Sequence, residues 1–358
     1  MPNLLIVEDD PFLRIVQLVL DPNASRERFA AFADFFAHDE PDFAGWCAKV
    51  RQKAGGLYPA EVRLIETQEE LHRNLADANG LIVESLSVGA DDIAAAPKLK
   101  AVQKYGVDLR RIDQAACANR GVAVLSIRRR ANIACAELAL TLMLMLSRRV
   151  NELAGRISVE ALAELGYHYQ PYDRRYTPNS NWGRVPGLKT LYGTTVGIIG
   201  LGEIGREFAL RAAAFGMRLL YTQRQRAPEE MERQYQATFR PMADLLAESD
   251  WVVPLVPSTP ATQNLIGRAE FERMRQGARL VNISRAAVVD RAALLDALRS
   301  GRLGGFGLDP LYESPGRDDD ELLKFPNVVM TPHIAAQPRF NALDDLEDMI
   351  TALARKLR

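Results

Sequence analysis

The stretch TVGIIGLGEIGREFALRAAAFGMRLLYT, Thr195–Thr222, reads as a strand, a tight turn, a helix and a second strand. Gly200, Gly202 and Gly205 stand in GxGxxG spacing where the apolar run gives way to the helical one. In such a turn the first glycine allows the tight bend, the second lets backbone approach a pyrophosphate, and the third lets helix pack on strand. The helix N-terminus then favours the phosphate charge. Strand, glycines and helix together predict a dinucleotide site, with Glu203 and Ile204 inside the turn. If the cofactor were NAD, the second strand should end in an acid that bonds the ribose 2′-hydroxyl. Gln223 stands there instead, followed by Arg224 and Arg226. Guanidinium forks hold a 2′-phosphate by charge-assisted bonds, so NADP is expected in preference to NAD. The plainer alternative is that both arginines are solvated surface.

Outward from this stretch, apolar strand candidates alternate with helical segments in both directions. Upstream they are Val62–Ile65, Leu81–Val83, Leu99–Val102 and Val122–Leu125; downstream they are WVVPLV, ARLVNIS and NVVMTP. The rhythm predicts parallel α/β domains. At 358 residues the chain exceeds the roughly 250–300 at which single cores stop growing, so two domains are expected. Residues 24–56 interrupt the rhythm with RERFAAFADFFAHDEPDFAGW, whose aromatics have helical spacing. They read as a packed insertion, with a substrate-capping role also conceivable. The Tyr-, Pro- and Asn-rich segment between Gly155 and Lys189 is too long for a passive turn and reads as an arm or lid. The amphipathic NALDDLEDMITALARKLR is expected to pack across a domain surface.

Composition excludes several partners. Lys and Arg number 45 against 46 Asp and Glu, a net charge of −1, so no overall field favours nucleic acid or an anionic membrane. Cys47, Cys117 and Cys135 are scattered, without metal-ligand spacing, and fit buried apolar groups in a reduced cytoplasmic protein. No metal site is expected. The opening MPNLLIVEDDPF lacks the basic and apolar pattern of an export signal. The apolar run Leu138–Ser147 is about half the roughly 20 residues that span a bilayer and reads as a core helix. NLLIVEDD also resembles the acidic opening of phosphoacceptor receiver domains. A receiver needs a second strand ending in Asp near residue 50, and FAGWCAKVRQKAGG there is helix-like.

Six blocks occur in order: YGVDLRRID (Tyr105–Asp113), GIIGLGEIG, PSTPATQNLI (Pro257–Ile266), VNISRAAVVDRAALLDAL (Val281–Leu298), GGFGLDPLYESP and NVVMTPHIA (Asn327–Ala335). With the long helix ANIACAELALTLMLMLSRR ahead of the glycine turn, the chain resembles the D-isomer-specific 2-hydroxyacid dehydrogenases over roughly residues 80–340. LLYTQRQRAPEE is most similar to the NADPH-using glyoxylate/hydroxypyruvate reductases. The resemblance implies a Rossmann-type cofactor domain, 128–334, inserted in a smaller flavodoxin-like α/β substrate domain made of 1–127 and 335–358. It also implies hydride transfer between NAD(P)H and a small 2-keto acid to give a D-2-hydroxy acid. Arg285 would match the arginine that grips the substrate carboxylate and polarises its carbonyl. His333 would match the acid/base that protonates the carbonyl oxygen, a task suited to imidazole. The backbone of Tyr105, Gly106 and Val107 would give N–H groups to the carboxylate, and Pro257, Thr262, Ser284 and Asp309 would line the cofactor side. A homodimer, with the tyrosine-rich arm as contact, is a further expectation of the resemblance.

One departure is central. The family places a Glu five residues after the Asp of this block, just before Pro, to bond the histidine. Counting from Asp309 reaches Ser314, with Glu313 one place early and Pro315 in register. Ser314 serves as a neutral partner, or Glu313 swings in through a local turn, or the site is impaired. Without an acid, reduction at neutral pH weakens first and the optimum shifts to acid. Arg128, Arg129 and Arg130 replace a Pro-Gly-type turn at the start of the long helix, where cations oppose the dipole, so they are either solvated or hold an extra anionic group on substrate or cofactor. Glu84 stands near where phosphate-handling relatives carry a basic residue, which argues against a phosphorylated substrate. Ala286 and Ala335 replace common glycines. The alternative function is a dinucleotide-sensing regulatory protein, or an enzyme using bound cofactor for another reaction.

Overall fold

A computed structural model describes residues 3–357. The first sheet contains β1 (Asn3–Glu8), β2 (Ala60–Ile65), β3 (Gly80–Val83), β4 (Ala101–Lys104) and β5 (Ala123–Leu125). All pairings are parallel and the order is β2-β1-β3-β4-β5, the flavodoxin-like order. Alternate residues of β1 face opposite cores: Leu5 and Val7 enter one with the C-terminal helix, and Leu4 and Ile6 enter the other. A parallel sheet buried on both faces reads as a continuous apolar run, as NLLIV does.

The insertion forms two helices, Arg26–Phe36 and Phe43–Ala54, capped by Ser25 and Asp42 side chains that accept N–H bonds from Arg28 and Gly45. Phe36 and Phe43 stack at 5.6 Å and Phe43 and Trp46 at 5.7 Å, so the insertion is packed core. The helix Phe340–Leu357 buries Leu343, Leu346, Met349, Ile350 and Leu353 in that core.

The second sheet contains β6 (Thr195–Ile199), β7 (Arg218–Thr222), β8 (Ala237–Phe239), β9 (Trp251–Pro254), β10 (Ala278–Asn282), β11 (Leu303–Leu308) and β12 (Val328–Met330). It is parallel throughout, in the order β12-β11-β10-β9-β6-β7-β8. Strand order reverses at β6, the switch point at which doubly wound sheets bind ligands beyond the carboxyl ends of their strands. The chain divides into two compact units: Met1–Asn132 with Ala336–Arg358, and Ile133–Ala335.

Three strand readings differ from expectation. β4 begins two residues later than Leu99, and the three-residue β8 carries no long apolar run. β11, LGGFGL, lacks the β-branched residues that mark strands. Its glycines serve close packing: a Cβ on Gly307 would lie 3.2 Å from Leu142 Cβ and 3.2 Å from Val281 Cγ2. Leu142 belongs to the helix Arg130–Arg148, which at 19 residues is long and apolar enough by composition to cross a membrane. Ala136, Ala139, Leu142 and Met143 of that helix are buried in the core of the second unit.

Candidate active site

The glycine turn is built to leave room. Gly200 has φ +101, and a Cβ there would sit 2.6 Å from the Leu255 carbonyl oxygen. A Cβ on Gly205 would sit 2.2 Å from the Gly200 oxygen. Both glycines are therefore demanded by the chain itself, whereas Gly202 faces open space, with nothing within 4 Å of its Cβ position. Gly202 also caps the helix Glu203–Ala214, whose first N–H groups border that space. Backbone room beside a helix N-terminus fits a pyrophosphate.

At the end of β7, Gln223 does not replace the missing acid as a free acceptor. Its Oε1 accepts the Leu201 N–H at 3.2 Å and its Nε2 donates to the Gln225 carbonyl at 2.7 Å, which ties the strand end to the glycine turn. The two arginines differ. Arg224 is exposed, with no hydrogen bond or ion pair among the described residues. Arg226 donates from Nε and Nη2 to the two carboxylate oxygens of Glu232, at 2.9 and 2.8 Å. The Arg226 guanidinium holds the Glu232 carboxyl down at about 2.

Beyond β9, Thr262 Oγ1 donates to the Pro257 carbonyl at 2.6 Å and accepts the Thr259 N–H at 2.8 Å, which closes the loop that carries both. Beyond β10, the buried Asn282 shapes the turn that presents Arg285. Its Oδ1 accepts from the Ser284 N–H at 3.0 Å and the Ser284 hydroxyl at 2.8 Å, and its Nδ2 donates to the Arg285 carbonyl at 2.8 Å. Arg285 itself is exposed. Among the described residues its guanidinium makes a single hydrogen bond, from Nη1 to the Ser284 carbonyl at 2.7 Å, and no ion pair. A structural salt bridge therefore does not account for this arginine.

Asp309, at the end of β11, is fully buried and links its neighbours on both sides. Its N–H donates to the Asn282 carbonyl at 3.1 Å, and its own carbonyl accepts the His333 N–H at 3.1 Å. Its Oδ1 accepts from Thr331 Oγ1 at 2.7 Å and the Ile334 N–H at 2.8 Å, and its Oδ2 accepts the Ala335 N–H at 2.9 Å. The carboxylate that the resemblance placed on the cofactor side is thus wholly engaged by the TPHIA loop. That clamp holds His333 at φ +58, a left-handed conformation uncommon for a side chain other than glycine. The imidazole is exposed and unbonded among the described residues.

Neither Glu313 nor Ser314 bonds His333. Tyr312 donates its hydroxyl to the Val289 carbonyl at 2.9 Å and anchors the segment, after which Glu313 and Ser314 both run exposed. The charge of Glu313 is felt by Arg317. Of the three outcomes open at this position, the structure shows an imidazole with no acid on it.

In the first unit, the Tyr105 N–H donates to the Val83 carbonyl at 2.8 Å, so the sheet consumes one of the three N–H groups expected to meet substrate. Gly106 follows in a bend whose carbonyl accepts the Ile127 N–H at 3.0 Å, and Val107 is exposed. The acids of NLLIVEDD serve the chain rather than a metal. Glu8 accepts the N–H groups of Glu84, Ser85 and Leu86 at 2.6, 2.8 and 3.0 Å, while Asp9 pairs with Arg14 and Asp10 accepts the Phe12 N–H at 2.9 Å. Neither reading of the Arg128–Arg130 triplet describes Arg130. It pairs with Asp345 at 2.7 Å and Asp348 at 2.8 Å, and Asp345 also accepts its backbone N–H at 2.8 Å. One buried carboxylate thus caps the long helix and neutralises the cation that opposes its dipole. Arg129 lies 4.3 Å over the Tyr105 ring and 3.8 Å from Glu84. Burial raises the Glu84 carboxyl above its ordinary range.

Residues 140–335 match the family described as D-isomer specific 2-hydroxyacid dehydrogenase, NAD binding domain. The chain belongs to this family. Among relatives of the dehydrogenase, the glyoxylate reductase of Pyrococcus horikoshii is 38% identical over 260 residues, covering 71% of this chain and 72% of its own. The D-3-phosphoglycerate dehydrogenase of Archaeoglobus fulgidus is 34% identical over 282 residues, covering 78% of this chain and 49% of its own. Of solved structures, the TT0316 protein of Thermus thermophilus aligns with TM-score 0.52 and 28% identity over 99% of this chain and 95% of its own. The apo D-mandelate dehydrogenase of Rhodotorula graminis shares the fold, with TM-score 0.56 and 24% identity over 98% and 93% of the two chains. The dehydrogenase binds a nicotinamide dinucleotide through its second unit. Sequence reasoning missed the positioning roles of Asn282 and Glu232; the signal for Asn282 was its place at the strand end, two residues before Ser284.

Proposed function

We propose that the chain is an NADPH-preferring reductase of small 2-keto acids that returns D-2-hydroxy acids. The observation that carries this reading is the Asp309 clamp. It ties the end of β10 to the loop after β12, and presents on those two segments an arginine without an acid partner and an imidazole without a partner among the described residues. Arg285 binds the substrate carboxylate with its fork and draws electron density from the carbonyl. The bound nicotinamide supplies the hydride. His333 gives its proton to the carbonyl oxygen as the carbon gains hydride, and regains a proton from water. Glycine-turn N–H groups hold the pyrophosphate, and Arg224 faces the 2′-phosphate.

The substrate is a keto acid without a phosphate tail. Glu8 fills the N–H groups of residues 84–86, which would otherwise attract an anion, and Glu84 adds a second carboxyl there. We place the chain in the cytoplasm, with its three buried free cysteines reduced, and as a homodimer through the arm that exposes Ile157 and Tyr176. Sedimentation tests the dimer. The reaction is tested by following NADPH and NADH absorbance with glyoxylate, hydroxypyruvate and pyruvate for wild type and His333→Ala. Turnover should fall by about 10²-fold or more in the variant while cofactor still binds. Equal inertness of both proteins with cofactor bound would overturn the reading in favour of a dinucleotide sensor.

A further inference from the structure

We infer that Glu232 sets the cofactor preference of this chain by withholding Arg226, which leaves Arg224 as the single cation that meets a 2′-phosphate. This rests on the proposed NADPH reading and names the residue that tunes it. The two arginines lie two positions apart after β7, and their surroundings differ. Glu232 binds the Nε and Nη2 edge of Arg226 at 2.9 and 2.8 Å, the same edge that a phosphate would take bidentately. The carboxylate is fixed in turn. The Tyr221 hydroxyl donates to Glu232 Oε1 at 2.7 Å, and Tyr221 Oη accepts the Ala227 N–H at 2.9 Å. Tyr221 is fully buried and packs edge-on against Phe239 at 5.5 Å. Arg226 therefore faces an acceptor anchored to the core through a tyrosine, and a 2′-phosphate has to displace that acceptor to use the fork. The Glu232 charge also opposes an incoming dianion, whereas a 2′-hydroxyl carries no charge and is indifferent to it.

The test measures Kd on the full chain for NADPH, NADH and 2′,5′-ADP by calorimetry or nucleotide fluorescence, in wild type, Glu232→Gln, Arg226→Ala and Arg224→Ala. Releasing the fork in Glu232→Gln should tighten NADPH and 2′,5′-ADP by about tenfold and leave NADH within about twofold. Arg224→Ala should weaken NADPH by about tenfold or more, and Arg226→Ala in the wild-type background by no more than about twofold. Tyr221→Phe, which frees Glu232 from its anchor without removing either charge, should give a smaller gain in the same direction. The inference is overturned if Glu232→Gln leaves NADPH unchanged or weaker, or if Arg226→Ala costs as much as Arg224→Ala. A wild type that favours NADH would refute the NADPH reading alone, since Glu232→Gln should still move the ratio toward NADPH.

Discussion

Replacing Asp309 with Asn removes a single acceptor from the clamp with almost no change in shape. The carboxylate accepts from Thr331 Oγ1, Ile334 N–H and Ala335 N–H at 2.7, 2.8 and 2.9 Å, with no exposure to water. An amide oxygen keeps two of these bonds, and the amide nitrogen then faces the buried Ala335 N–H donor to donor. A bond to a charged acceptor contributes about 1.5–3 kcal/mol, and an orphaned buried N–H costs about 1–3 kcal/mol, so a loss of about 3 kcal/mol is expected. For a unit of this size each kcal/mol moves Tm by about 2–4 °C, which predicts a drop of about 6–12 °C. The loop that the clamp holds is the one that places His333 at φ +58, and misplacement of a catalytic group by about 1 Å costs about 10²-fold in rate. Thermal unfolding followed by circular dichroism, together with kcat for NADPH oxidation with glyoxylate, reads both effects. An Asp309→Asn protein with wild-type Tm and wild-type kcat would refute the clamp.

Other perturbations have equally definite outcomes. Ser314→Glu puts an acid at the place where the family count expects the partner of the histidine, and an acid that reaches the imidazole favours its protonated form, so the alkaline limb of the pH–rate profile for reduction should move up by about one unit; an unmoved limb would show that this segment does not reach His333. Glu232 has its carboxyl lowered from the ordinary 4.5 to about 2, so its contribution is full above pH 4.5 and is lost as pH falls through about 2. The stability gap between wild type and Glu232→Gln should therefore be flat from pH 7 to about 4.5 and close below that in urea titrations. Arg130→Ala strands the buried Asp345 carboxylate and should cost about 3–5 kcal/mol in chemical denaturation, part of which returns in the double variant with Asp345→Asn.

The glycine turn was legible because its constraints are local: Gly200 and Gly205 answer to atoms within a few residues or on the neighbouring strand end, and no side chain fits there. The alternating apolar runs likewise announced two parallel sheets, since strands buried on both faces need little beyond their own composition. β11 escaped notice because its Gly307 answers to Leu142, a residue on a helix far back in the chain. The role of Arg130 depends on Asp345, 215 positions away, and no pattern near SIRRRANIA points to it. Arg224 and Arg226 looked equivalent in sequence, although the acid that separates them stands six residues after Arg226 in PEEMERQY. Near Glu313 and Ser314 the count marks a departure from the family pattern, but the course of the segment depends on the Tyr312 anchor to Val289. The acidic cluster that Glu8 opens resembles the start of a receiver domain in sequence because the partners of Glu8, the N–H groups of residues 84–86, lie on another strand end.

The most direct test of the account uses NADPH carrying deuterium at the transferable nicotinamide C4 position and hydroxypyruvate as substrate. Chiral chromatography coupled to mass spectrometry should find a D-2-hydroxy acid one mass unit heavier, formed by wild type and lost in both Arg285→Ala and His333→Ala. Unlabelled product, an L-configured product, or the same yield from all three proteins would contradict hydride transfer at this site.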